Sequence, residues 1–300
     1  MFLKDATKGV LAMTCSCVVW GFSPLFYKLL SHVPPAEVLS HRTIWSVIFF
    51  SSVLAIQGRL RELPAAFASR RQTGLIALAA LTISINWFVF ITAIQIGQTT
   101  EASLGYYIFP LMAVLIGWMW FGDQLGRAQW VAVGLAAIAV LVLTFGLGVT
   151  PWISLILATS FGTYGALKKK LPLGPVVSVT CEILIFLPLW LTLLIWYHGT
   201  GVGHFGNEWQ TSIFLVLSGP MTAFPLILFS YAARRVRLST IGVLQYINPT
   251  LQFLCAVLVF GEPFTIWHQI AFGLIWVAVA VFSVFAILQD QSEGRASATP

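Results

Sequence analysis

His41 and Arg42 sit side by side inside one apolar run of the sequence, and Glu101 and Glu182 sit in two others. An ionisable side chain at bilayer depth costs at least ~2.5–3.5 kcal/mol on insertion scales, so each of these groups needs a partner or a task. Arg42 lies about a turn and a half into its run, at ~1.5 Å of helix per residue, and Glu101 opens a later run at the same membrane face. An Arg42–Glu101 ion pair is the cheapest way to hold both. His41 is close enough in sequence to join them as a proton-sensitive member of the cluster. Such a cluster is either a gate with a proton-coupling role or a static latch between two helices. Glu182 falls at the opposite face, in reach of Lys168, Lys169, Lys170 or Arg234. There it is either a mirrored latch or a carboxylate snorkelling to water.

A second set of residues is polar but uncharged and suits recognition of a solute better than bond chemistry. Asn86, Tyr107, Gln245, Tyr246 and Asn248 fall inside apolar runs, with Trp20, Trp87, Tyr106 and Phe90 as candidate aromatic walls of a cavity. Pro110 follows Tyr107 by three positions and Pro249 follows Tyr246 by three. Each proline removes a backbone donor and frees a carbonyl one turn earlier, so both are expected to break their helices. Pro220 and Pro225 are expected to kink another. Motifs for catalysis or ATP use are missing from the sequence: there is no GxxxxGK[ST], HExxH or GxSxG and no metal-ligand spacing. Cys15 and Cys17 are two apart and point to different helix faces. The chain reads as a non-enzyme without metal or cofactor.

The elements that would hold these residues follow from composition. Of 300 residues, 58% are hydrophobic and 9% charged, where a soluble domain has about a quarter charged. The apolar residues come in blocks of about twenty, enough to cross ~30 Å of hydrocarbon as helix. Ten spans are expected, at 8–30, 36–57, 73–95, 100–121, 128–146, 151–167, 176–198, 209–233, 239–260 and 267–288. The loops are short, Asp123 and Arg127 form a local surface pair across one of them, and residues 289–300 read as a disordered cytoplasmic tail. No cleavable leader is expected before the first span. The net charge of +6 is gathered in short clusters between spans, a topology signal rather than a nucleic-acid footprint. With the N-terminus cytoplasmic, fourteen of the sixteen Lys and Arg fall on the cytoplasmic side, all except Lys28 and Arg42. Both termini are therefore expected there.

The sequence also repeats itself. At an offset of 139, Tyr107 meets Tyr246, Pro110 meets Pro249, Gly122 meets Gly261 and Asp123 meets Glu262. At an offset of 141, Gly21 meets Gly162, Lys28 meets Lys169 and His41 meets Glu182. Five helices per copy is odd, so the second copy enters the membrane upside down. The fold expected is all-α and integral to the membrane, ten helices as two inverted five-helix repeats, 1–146 and 151–288. Inverted repeats place a site near the midplane between the halves. Gly21, Gly162 and Gly165 are expected to let helices approach closely.

HRTIWS at 41–46, NWFVF at 86–90, EASLGY at 101–106, RLSTIG at 237–242, QYINPT at 245–250 and FGE at 260–262 resemble the RarD branch of the drug/metabolite transporter superfamily, built from two EamA domains. The resemblance covers nearly the whole chain. It implies a bacterial inner-membrane location and export of small molecules, and it carries no agreed substrate residues. The expected activity is secondary transport of a small neutral, zwitterionic or amphipathic solute by alternating access, with protons as a candidate coupling ion. A facilitative uniporter of the same fold and a non-transporting scaffold or receptor are the rivals. Lipid is the surrounding partner, nucleic acid is not one, and short loops around a complete ten-helix unit suit a monomer.

Overall fold

The computed structural model describes residues 2–122, 125–148, 150–236 and 238–296. These residues form α1 (Phe2–Gly21), α2 (Ser23–Leu29), α3 (Pro35–Ile56), α4 (Glu62–Ala66), α5 (Arg70–Gln95), α6 (Thr99–Phe121) and α7 (Arg127–Leu147). The second half contributes α8 (Trp152–Lys170), α9 (Pro175–Gly199), α10 (Trp209–Ala233), α11 (Leu238–Leu244), α12 (Ile247–Leu254), a π-helical turn at Cys255–Val259, and α13 (Ile266–Ala296). Among the described residues nine stretches are long and apolar enough to cross a membrane; α1 with α2 forms one, and α11, α12 and the π turn share another. The tenth membrane helix is α8, which packs on α5 and α6 and ends in Lys168, Lys169 and Lys170. The chain is an all-α, multi-pass membrane protein of two five-helix repeats.

Two local features depart from expectation. α13 continues to Ala296, because Gln289 to Ala296 contains no proline and only one glycine to stop it; the expected disorder from 289 is not found, and 297–300 lie outside the described residues. Pro110 sits inside an unbroken α6, which neighbours α8 and α12 support along its length. Pro249 does mark a break. α11 stops at Leu244, and the amide of Asn248 donates to the Gln245 carbonyl (3.1 Å) in a tightened turn before α12 runs on. Asp123, half of the expected surface pair, lies outside the described residues.

The repeated Phe-Gly-acid has a mechanical explanation. Gly122 and Gly261 both take left-handed backbone, φ +70° and +65°, which a glycine adopts without the Cβ penalty. After Gly261 the Glu262 side chain turns back onto the first repeat. It accepts the amides of Thr99 (2.8 Å) and Thr100 (2.7 Å), satisfying orphan donors at the start of α6.

Packing obeys the inversion. α1 packs on α10 and α12, and its mate α8 packs on α5 and α6; α3 with α9, α6 with α12 and α7 with α13 meet their own mates. Every one of these contacts maps onto another when the repeats are exchanged. The glycines obey it too. A Cβ on Gly21 would lie 2.6 Å from Leu251 on α12, and one on Gly162 would lie 3.2 Å from Ala113 on α6, beside Met112, the mate of Leu251. Gly165 meets nothing within 4 Å, so it serves no close approach.

Candidate functional site

A cavity of ≈ 130 Å³ opens between the repeats. Trp20, Tyr27, Trp87 and Tyr106 line it from the first repeat, and Phe161, Tyr164, Gln245, Asn248 and Gln252 from the second. Both breaks in membrane helices border it: Ser23 follows the α1–α2 break, and Gln245 stands in the α11–α12 break. Backbone freed at a break inside a membrane is tolerated where it borders a cavity or packed protein.

Arg42 is the one charged lining residue among the described residues. It is only 5% exposed. Its guanidinium carbon lies 4.1 Å from the Trp87 ring centroid and 5.7 Å from that of Tyr27. Cation–π attraction of ~2 kcal/mol or more in a desolvated setting helps to hold a guanidinium there. Yet Nε has no hydrogen-bond partner, and the ion pairs of the described residues leave Arg42 out.

The expected Arg42–Glu101–His41 cluster does not assemble. α3 packs chiefly on α9 and α10 while α6 packs on α8, so the helices bearing Arg42 and Glu101 are not close neighbours. The head of α6 is tied instead to the head of α8, where the Ser154 hydroxyl donates to the Glu101 backbone carbonyl (2.7 Å). His41 faces away from Arg42 and stacks on Phe205 at 4.8 Å.

Two polar contacts stand near the cavity, at opposite ends of the helix bundle. At one end Glu37, fully buried, accepts the backbone amide of His204 (2.7 Å) and bonds its ring Nδ1 (2.9 Å). His32 bonds Thr211 (3.0 Å) beside it, and Phe205 covers His41. These contacts tie the loop between α9 and α10 to the start of α3. At the other end Lys168 Nζ meets Glu182 at 2.6 Å, Ser178 donates to the same carboxylate (2.8 Å), and the Tyr164 hydroxyl donates to its second oxygen (2.9 Å). Tyr164 also lines the cavity, so the second contact reaches the site directly.

The EamA-like transporter family model matches residues 7–145 and again residues 150–284. The chain belongs to the EamA-like transporter family. An uncharacterized transporter of Vibrio cholerae is 39% identical over 98% of this chain and 97% of its own. A protein RarD of Streptomyces exfoliatus is 42% identical over 88% of this chain and 84% of its own, and the protein RarD of Escherichia coli is 36% identical over 98% and 100%. A crystal structure 17% identical superposes with a TM-score of 0.61 over 94% of this chain and 99% of that one, which speaks to fold alone. This is a RarD-type EamA membrane transporter.

In this EamA transporter, six of the residues expected from sequence to line a cavity do so: Trp20, Trp87, Phe90, Tyr106, Gln245 and Asn248. Asn86 does not. Its amide donates to the Leu157 carbonyl and the Ser160 hydroxyl, both at 3.0 Å, and its oxygen accepts from Tyr106 (2.8 Å). It is spent on orienting Tyr106. Tyr107 and Tyr246 also stand outside the lining, stacked on one another between α6 and α12. Glu182 found Lys168, one of the cations its position offered. Glu37 and Gln252 were missed. Glu37 follows Pro34-Pro35 and resembles a loop carboxylate, and Gln252 falls one helical turn after Asn248, whose oxygen accepts from it at 2.9 Å.

Proposed function

We propose that this chain is a secondary transporter that exports a small amphipathic solute across the bacterial inner membrane by alternating access. The observation that carries the reading is a cavity lined by both repeats with a different polar contact toward each end of the bundle, Glu37–His204 and Lys168–Glu182, which serve as its closures. Rocking one repeat on the other would open one closure while the other holds. His41 and Arg42 link the first closure to the cavity, and Tyr164 links the second. The skew of Lys and Arg supports a cytoplasmic position for the Lys168 end and for both termini.

Proteoliposomes loaded with candidate solutes test this directly. Solute-dependent efflux that accumulates against a gradient when a pH difference is imposed supports coupled export. If Glu37→Gln abolishes the pH response, coupling runs through that end. Equal downhill flux in both directions, indifferent to pH, makes the chain a facilitator of the same fold. Absence of flux for every solute that binds defeats the transport reading.

A further inference from the structure

We infer that the cavity takes a monocarboxylate with an apolar, ring-sized body, and that Arg42 is the residue that binds the carboxylate. The inference rests on the reading of the cavity as the solute site, and it names the solute's class. Arg42 is buried at the cavity wall with a nitrogen that meets no acceptor. A charge buried without a partner costs several kcal/mol, and that cost falls when an anion arrives. Among the described residues no carboxylate is available to serve. The buried carboxylates are committed elsewhere: Glu37 to His204, Glu182 to Lys168, and Glu262 to the Thr99 and Thr100 amides. Glu101 stands on α6, which packs on α8 and not on the Arg42 helix.

Arginine also has the right shape for this ligand. Its planar fork of N–H groups matches the two oxygens of a carboxylate, and a guanidinium can rest on an aromatic ring, as Arg42 does over Trp87 at 4.1 Å, and still present that fork. A single guanidinium in an otherwise uncharged lining balances one negative charge, which favours a carboxylate over a phosphate monoester. The body of the ligand is set by the walls. Phe90, Phe109 and Phe161 join Trp87 and Tyr106 around the space. A dry cavity of about 150 Å³ is known to take one benzene ring, and this one is ≈ 130 Å³. Arg42 has no charged mate at the 141 offset, where Ile183 stands, so the two halves of the cavity differ in polarity.

The test uses the purified full-length chain in detergent and follows affinity by thermal shift and calorimetry. The probes are benzoate and phenylacetate, each against its neutral amide, with phenyl phosphate as a dianionic arm. The expected result is at least tenfold tighter binding of one or both acids than of the matching amide, with phenyl phosphate weaker than phenylacetate. Arg42→Gln is expected to bring acid and amide within about twofold while amide binding survives, which shows the cavity intact. Should that variant fail to fold, the wild-type acid-to-amide ratio and Arg42→Lys, expected to keep a preference for the acid, decide in its place. A ratio below tenfold for both pairs, failure of both acids to bind, tighter phosphate binding, or a preference that survives Arg42→Gln overturns the inference. Acid-selective binding without flux in proteoliposomes would keep the site and defeat transport. Flux of neutral solutes without acid selectivity would do the reverse.

Discussion

Tyr107 and Tyr246, repeat mates 139 residues apart, stack on each other with ring centroids 6.2 Å apart and planes 16° from parallel. Equivalent residues of two copies can touch only near the axis that exchanges the copies, so this stack marks where α6 and α12 cross that axis. The pair is not identical in its bonding. The Tyr107 hydroxyl meets Thr250 at 2.6 Å, while the buried Tyr246 hydroxyl has no partner. The axis is therefore approximate, and the chain is free to differ between its two ends, as it does in its two closures.

Close approach at mirrored glycines should be equally sensitive in both halves. Gly21→Leu and Gly162→Leu each drive a side chain into a facing helix, against Leu251 and Ala113 respectively. Overpacking of this kind costs about 1–3 kcal/mol. Thermal unfolding in detergent should show a lowered midpoint for both, and Gly165→Leu, which meets open space, should leave it within error.

The ion pair at the Lys168 end should behave as a buried pair. Glu182 is 1% exposed and Lys168 23% in their side chains. Removing one partner leaves an uncompensated charge at a cost of about 3–5 kcal/mol, whereas removing both is far milder. Glu182→Gln is expected to destabilise more than the Lys168→Met/Glu182→Gln double variant. A double-mutant cycle on unfolding free energy checks this, and additive single effects would refute it.

Much of this was legible before any coordinates, and the reason is the solvent. A bilayer forces twenty-residue apolar blocks, so the spans could be read to within a few residues. The Tyr-x-x-Pro and Phe-Gly-acid echoes gave the repeat because glycine in left-handed backbone and a capping acid have few substitutes. Pairings between helices were harder. Glu101 and Arg42 share a face in topology, but depth along two helices does not say whether those helices are neighbours. Asn86 reads as a cavity wall in the sequence because a buried amide looks like a free one until its three bonds are counted. Pro110 failed as a break because packing on both sides outweighed one lost hydrogen bond.

The closure at the Glu37 end makes a prediction about exposure. Glu37 holds the 200–208 loop through two bonds to His204, and charged acceptors contribute about 1.5–3 kcal/mol per bond. Glu37→Ala should raise the population in which this loop is detached by tenfold or more. With cysteine introduced at Phe205 in a background lacking the native cysteines, labelling by a membrane-impermeant maleimide should quicken by at least that factor. An unchanged rate would mean that the Glu37 bonds to His204 do not keep this end shut.

Asn86 should act through Tyr106. Tyr106→Phe leaves the Asn86 oxygen without a donor at 0% exposure, and an orphaned buried acceptor costs about 1–3 kcal/mol. Asn86→Leu removes the acceptor and frees the Tyr106 ring, which lines the cavity, to turn. The expected signature is a split: Tyr106→Phe lowers the unfolding midpoint with little effect on ligand affinity. Asn86→Leu weakens binding of a cavity ligand several-fold, although the residue itself touches none of the cavity surface. Binding unchanged in Asn86→Leu, in a variant that still unfolds cooperatively, would show that the Phe90 and Phe161 rings, 5.5 and 5.9 Å from that of Tyr106, are enough to hold it.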